Sequence, residues 1–509
     1  MFDALKAQIT KTPLTVVAML GAVVILLNFF DSYRRARKLD GIPTVGPSGI
    51  FSSYIGAWRL FREGRKMVQE GYDKYHGGAF RVPMLNHWQV VVTSPEMIND
   101  IKRAPNDVLS FMGAIQQLMQ IEHTMGKAIH TDPYHIDVIK NSLTRSISSK
   151  LESIVEEVAY AFQDELPASD DWIKIPAMEV IRRVVCRASN RVFVGAPLCR
   201  NLDYMDLNIK FAMDVAFSGL FVNVFPGFMR STVARWISPT SRSINRAIKH
   251  VGPVIQERLD KEKEYGGEWP GKPNDFLSWL LAQAQGYQRS IRDLTLRILS
   301  VNFAAIHTTS MAFANGLYVL AAHPEYLQPL REEVELVVAE YGWTKTAMGK
   351  MRKLDSFLKE SERLMGSGAI GMHRLTLKEF TFSDGTTVPA GTIIAVASNA
   401  VHHDQSKYSK PYEFDGFRYS LMREEDGEGI KHQMATPDHE NWLLFGAGHH
   451  ACPGRFFAVN ELKLMLSLLI LNYDVKFEKE GEIPPSTWFA TNNMPSSKVE
   501  VMFRKRAKV

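Results

Sequence analysis

Apolar residues run unbroken near the start of the chain, alternate in short stretches after it, and then settle into the three-to-four spacing of helices. The unbroken run, PLTVVAMLGAVVILLNFF from Pro13 to Phe30, carries no charge. An apolar helix of roughly 20 residues spans a bilayer core. Arg34, Arg35, Arg37 and Lys38 follow at once, whereas Lys6 and Lys11 precede it. The heavier basic flank is C-terminal, which predicts a body on the cytosolic side. A cleaved signal peptide is disfavoured by the length of the run, the dense basic flank and the lack of a clear small-residue cleavage site. The pattern thus predicts a short lumenal segment 1–12, a transmembrane anchor 13–31 and a basic flank with a hinge, 32–50, where Pro43 and Pro47 stiffen DGIPTVGPSG.

Beyond the hinge, 51–509 reads as one mainly α body with a small β component. GAFRVPML and WQVVVTS alternate around Leu85-Asn86-His87, which predicts a hairpin. Ser94 then caps a helix that has Pro95 at its first position. In FTFSDGTTVPAGTIIAV, Asp384-Gly385 predicts a turn between two alternating segments. From Ile298 to Ala322 no residue is charged unless His307 is protonated. Ser300, Asn302, His307, Thr308, Thr309, Ser310 and Asn315 interrupt that run. Polar side chains clustered in this way are costly in lipid, so the pattern predicts a long helix through a protein core and not a second span. The polar stretch 423–440 reads as a surface loop. Segments 109–121, 217–229, 366–372 and 489–497 are rich in Phe, Met and Leu or in small residues, and are candidates to line a pocket.

Composition narrows the class without naming it. The 509 residues are 45% hydrophobic and 23% charged, as in ordinary globular proteins, and the net charge of +5 is spread along the chain. No long arginine-rich or lysine-rich run points to nucleic acid; an anionic membrane surface or an acidic partner suits the balance. Cys186, Cys199 and Cys452 are too few, and odd in number, for a disulfide framework, which predicts a reducing compartment.

Candidate chemistry gathers in FGAGHHACPG, Phe445 to Gly454. The helix-forming RFFAVNELKLMLSLLILNY follows, so Cys452 is predicted at the positive end of a helix dipole, where a thiolate is favoured. Gly446, Gly448 and Gly454 allow the backbone to turn tightly enough for peptide N–H groups to approach the sulfur. A flat metal cofactor held by one thiolate suits such a loop. A buried thiol of no special function, part of a zinc site with His402-His403, and the nucleophile of a cysteine hydrolase are rivals on the loop alone.

The spacing Phe445-Gly446-x-Gly448-x-His450-x-Cys452-x-Gly454 resembles the haem-binding loop of the cytochrome P-450 family, the haem-thiolate monooxygenases. Three further matches fall in the family's order. Glu360 and Arg363 match its E-x-x-R helix, Arg418 in EFDGFR matches the arginine that joins that pair, and AAIHTTS, Ala304 to Ser310, resembles its oxygen-binding helix. The resemblance implies the cytochrome P-450 fold behind one membrane helix. It also implies haem b with Cys452 as the axial iron ligand, and a structural Glu360–Arg363–Arg418 network. Thr308 matches the threonine that positions the proton donor. His307 replaces the acid that commonly feeds the proton relay, and Ala305 replaces a glycine. His450, where arginine is common, and Arg374 are implied propionate partners, with Phe445 and Gly446 shaping the loop. The usual Trp-x-x-x-Arg pair is absent from DPYHIDVIKNSLTR, which leaves His135 and Lys140 as substitutes. His449 has no assigned role.

By the same resemblance, electrons come from NADPH through NADPH–cytochrome P-450 reductase, with cytochrome b5 as a possible second donor. The substrate is hydrophobic and the location is the endoplasmic reticulum membrane, single-pass with a cytosolic catalytic domain. NRVFVGAPLCRN and FDGFRYSLMR look most like fungal members, several of which oxidise terpenoids. A haem-binding sensor or carrier, or a non-redox haem-thiolate isomerase or dehydratase, is the alternative.

Overall fold

The computed structural model describes residues 33–507 apart from 86, 428, 429 and 439, together with positions 19, 21, 23 and 30. The predicted lumenal segment and anchor, 1–31, otherwise lie outside the described residues. Among the described residues no helix is long and apolar enough to cross a membrane.

Helices dominate the body. Those that position the site are α1 (Ser52–Lys74), α2 (Phe111–Met119), α3 (Ala177–Phe193), α4 (Leu202–Asn223), α5 (Gly227–Ile237), α6 (Thr240–Tyr265), α7 (Ile291–Ala322), α8 (Arg352–Met365) and α9 (Arg455–Asn472). The 32-residue α7 is the axis of the molecule, packed by α3, α4, α6, α8 and α9. Its uncharged run is explained by that setting, because a helix buried on nearly every side has no polar face to present. Its polar side chains turn to neighbours: Asn302 bonds Asn190 on α3, and Asn315 donates to Glu362 on α8 at 2.8 Å.

The main sheet has five strands, β1 (Ala79–Pro83), β2 (Trp88–Val92), β3 (Leu109–Ser110), β4 (Gly371–Thr376) and β5 (Ile393–Val396), in the spatial order β1-β2-β5-β4-β3. The hairpin read from the sequence is present, with Pro83 opposite Trp88. Ser94 accepts from the Met97 N–H at 3.1 Å as the predicted cap. The turn at Asp384-Gly385 joins Phe380–Thr381 to Thr387–Val388. The apolar Ile393–Val396 leaves that turn and pairs parallel with β2 and antiparallel with β4. Among the described residues the two larger apolar cores lie among the helices around α7 and between the sheet and α1.

Candidate active site

The cysteine loop is a folded unit ahead of α9. The Cys452 N–H donates to the Phe445 carbonyl at 2.7 Å, closing the loop on itself, and Gly448–His450 form a short 3-10 turn. Gly446 and Gly448 have φ of +67° and +72°, the left-handed region that disfavours side chains. At Gly448 a Cβ would also stand 2.5 Å from the Lys102 carbonyl oxygen, so only glycine fits. The peptide N–H groups of Gly454 and Arg455 bond the Cys452 sulfur and favour its thiolate, yet burial outweighs them and raises the thiol pKa. The depression expected from the helix terminus alone is therefore corrected. A cation at the sulfur is what would tip this thiol to thiolate.

One face of α7 is open in the middle of an otherwise buried helix. Ala304 and Thr308, one turn apart, are exposed, while Ile306, Thr309 and Ser310 around them are buried. The Thr308 hydroxyl donates to the Ala304 carbonyl at 2.7 Å, which leaves its lone pairs free to accept. His307 points elsewhere: its Nε2 lies 2.9 Å from the Ile209 carbonyl on α4, and burial lowers its pKa. Neutral and donating through Nε2, it ties α7 to α4. Ala305 is half-buried beside the open face.

A third feature is a group of cationic and imidazole side chains near the loop. Arg374 on β4 is 2% exposed, donates only to the His373 carbonyl, and has a buried Nε with no partner among the described residues. Burial pushes it down to about 10. Phe111 at the start of α2 stands between it and the loop, its ring 5.7 Å from the Arg374 guanidinium and 5.8 Å from the His450 ring. The His450 Nε2 is likewise buried without a partner among the described residues. Burial and the charges of Arg374, His449 and Lys140 hold His450 down to about 4. Arg374 and His450 thus flank Phe111, the charge of Lys140 acts on His450, and His135 is engaged by Arg297 instead. The His135 Nδ1 takes a bond from Arg297 at 3.1 Å, and burial with that charge holds it down to about 3. Arg297, wholly buried and paired with Asp293 at 3.1 Å, was missed in the sequence; an Asp four residues before an Arg at the mouth of an apolar run was the available signal.

A family model for cytochrome P-450 matches residues 47–502. The chain belongs to the cytochrome P-450 family. It is 45% identical to a cytochrome P-450 monooxygenase of Postia placenta over 92% of this chain and 94% of that protein. It is 33% identical to one of Ganoderma lucidum, over 96% of each chain. An ent-kaurene oxidase of Gibberella fujikuroi is 31% identical over 92% of this chain and 93% of that protein. The enzyme is a cytochrome P-450 monooxygenase.

The residues of this cytochrome P-450 fit the haem that its family implies. They offer a single thiol cradled by peptide N–H groups, an open helix face, and buried nitrogens on Arg374 and His450, without partners among the described residues, that suit carboxylates. The Glu360–Arg363 pair lies behind the loop on α8, both side chains fully buried. Arg363 donates to Glu360 at 2.7 and 2.8 Å, and Arg418 adds a bond to Glu360 at 3.1 Å. Arg363 also donates to the carbonyls of His402 and Pro411 at 2.8 and 2.6 Å. His402 Nε2 in turn accepts from the Leu443 N–H at 3.0 Å, two residues ahead of Phe445, so the network reaches the cysteine loop itself. That use of His402 was not read from the sequence. His403 Nδ1 bonds the Asn399 carbonyl, and no metal-ligating cluster is present among the described residues. The candidate pocket segments 366–372 and 489–497 meet through Gly368 and Asn492, while 109–121 and 217–229 approach each other where Gln120 bonds Asn223 at 2.6 Å.

Proposed function

We propose that this monooxygenase hydroxylates a terpenoid or a related hydrophobic fungal metabolite at the endoplasmic reticulum membrane, using electrons from NADPH delivered by a reductase. The observation that carries the reading is the open Ala304–Thr308 face on α7, the helix that packs against α9, which the cysteine loop immediately precedes. The uncharged run Pro13–Phe30 supports the membrane address. The ent-kaurene oxidase among its relatives, together with the Phe, Met and Leu of the candidate pocket segments, supports the substrate class.

Haem bound through Cys452 supplies dioxygen activation and C–H oxidation. The protein's part is to hold, orient and protonate. Cys452 would bind the iron, with Gly454 and Arg455 N–H groups moderating the charge on sulfur. Arg374, His450 and Lys140 would hold the propionates. Thr308 would accept a hydrogen bond from the proton-donating species, its own hydrogen being committed to Ala304. His307, with Nε2 engaged by Ile209, would take part in proton delivery through Nδ1 alone. The Glu360–Arg363–Arg418 network would keep the loop rigid.

Microsomes carrying the enzyme and a reductase, given NADPH, labelled dioxygen and a terpenoid panel that includes ent-kaurene, test the reading. Label in a hydroxylated terpenoid supports it. NADPH-independent isomerisation or dehydration of the same substrates, or oxidation confined to other classes, contradicts it. In the same assay, His307→Ala raises the fraction of NADPH consumed without product; unchanged coupling removes His307 from proton delivery.

A further inference from the structure

A cavity of about 1100 Å³ opens where the segment after the predicted anchor meets α2, the α4–α5 turn and the edge of β4. Its lining joins cations from parts of the chain far apart in sequence: Arg34, Arg35 and Lys38 on one side, Arg230 on α5 on the other. None of the described residues lining it is an Asp or a Glu. The nearby Asp40 faces Arg81, at 3.4 Å. Arg34 lies over the Phe30 ring at 5.8 Å, and neither it nor Lys38 has an ion pair among the described residues. Arg230 is fixed by a bond from its Nε to the Phe225 carbonyl at 2.9 Å. His130, also in the lining, has a buried Nδ1 with no partner among the described residues.

The field inside is positive. His87 in the wall is held down to about 4, first by burial and then by Arg35, His373 and Arg230. Convergent like charges around a partly enclosed space repel one another, and an anion placed among them removes that cost. Part of the wall is apolar, with Phe228, 78% exposed, Leu375 and Leu377, beside the neutral amides of Gln116, Gln117, Gln120 and Asn223. Leu375 is the strand neighbour of Arg374, so the cavity adjoins the active site by a single residue of β4.

We propose that this cavity binds the anionic head, carboxylate or phosphate, of an amphiphile whose hydrocarbon part lies along Phe228 and Leu375. The head is supplied either by an acidic phospholipid of the bilayer or by an acidic substrate on its way to the site. The inference stands apart from the terpenoid reading, since oxidation of a neutral terpenoid neither requires nor excludes it.

Full-chain, haem-loaded enzyme is compared with the Arg34→Gln/Lys38→Gln/Arg230→Gln variant. Palmitate against hexadecanol probes the acidic-substrate source, measured by calorimetry in detergent. Phosphatidylserine against phosphatidylcholine in nanodiscs probes the lipid source, measured as lipid retained per protein. The wild type prefers the anionic member of at least one pair. Three lost charge contacts weaken that member roughly tenfold and leave the neutral one unchanged. Preference for palmitate alone identifies a substrate vestibule, and preference for phosphatidylserine alone a lipid site. Equal binding of anionic and neutral probes, or a preference that survives the substitutions, overturns the proposal. The reduced carbon monoxide spectrum checks that the variant is intact; if it is not, Lys38→Gln, an exposed single change, decides by the same criteria. Turnover of a neutral terpenoid, read in parallel, separates failure of this site from failure of the proposed function.

Discussion

Glu360 and Arg363 are both cut off from water, and their two mutual bonds are the reason a buried pair is tolerated there. Removing one partner from such a pair costs about 3–5 kcal/mol, because the other charge stays buried. Glu360→Gln is expected to lose stability on that scale in denaturant unfolding. It also lowers the haem-to-protein ratio, because Arg363 holds His402 and His402 holds Leu443. Glu461 on α9 makes the opposite case. Burial raises it to about 8, and its partner is the Ser189 hydroxyl, with no cation paired to it among the described residues. Its folded pKa lies above the unfolded value, so folding binds an extra proton and stability falls as pH rises between about 4.5 and about 8. Glu461→Gln removes that slope: unfolding midpoints taken from pH 5 to 9 should show the variant gaining on the wild type by about 1.4 kcal/mol per pH unit within the window. A constant difference across pH would refute the assignment. At this scale the sequence was legible where partners are close in the chain, as in Glu360-x-x-Arg363 and the cysteine loop. Arg297 with His135 is a pairing of residues distant in the chain, which no local pattern announces.

Elements followed the same division. The β1–β2 hairpin and the Ser94 cap are local and were readable from alternation and turn chemistry. The parallel pairing of β5 with β2 joins residues about 300 positions apart, and an apolar run alone does not choose its partner. The long α7 was readable because its polar residues were too many for lipid, although which of them face an opening was not. Close approach of helices is likewise invisible in sequence. Gly219 of α4 passes over the end of α2, where a Cβ would sit 2.5 Å from the Met119 carbonyl oxygen. Gly219→Ala must push these helices apart, with a cost of about 1–3 kcal/mol as for other overpacked sites. The thermal midpoint of the haem-loaded protein is expected to fall; an unchanged midpoint would mean that the crossing is loose.

For the whole molecule, a helical core surrounds α7 and a smaller core lies under the sheet, whose β4 carries Arg374 toward the cysteine loop and Leu375 toward the cationic cavity. The proposed address adds the uncharged N-terminal run. The full chain should stay with the membrane pellet through an alkaline carbonate wash, and a chain lacking residues 1–31 should be released in larger part. Release of the full chain would contradict the anchor. The central claim, however, is that Cys452 binds haem iron as a thiolate, and the reduced carbon monoxide difference spectrum tests it most directly. A Soret band at the thiolate-ligated position is expected in the wild type and is lost in Cys452→Ala. A band at the position of histidine-ligated haem, or a thiolate band that survives Cys452→Ala, would contradict it.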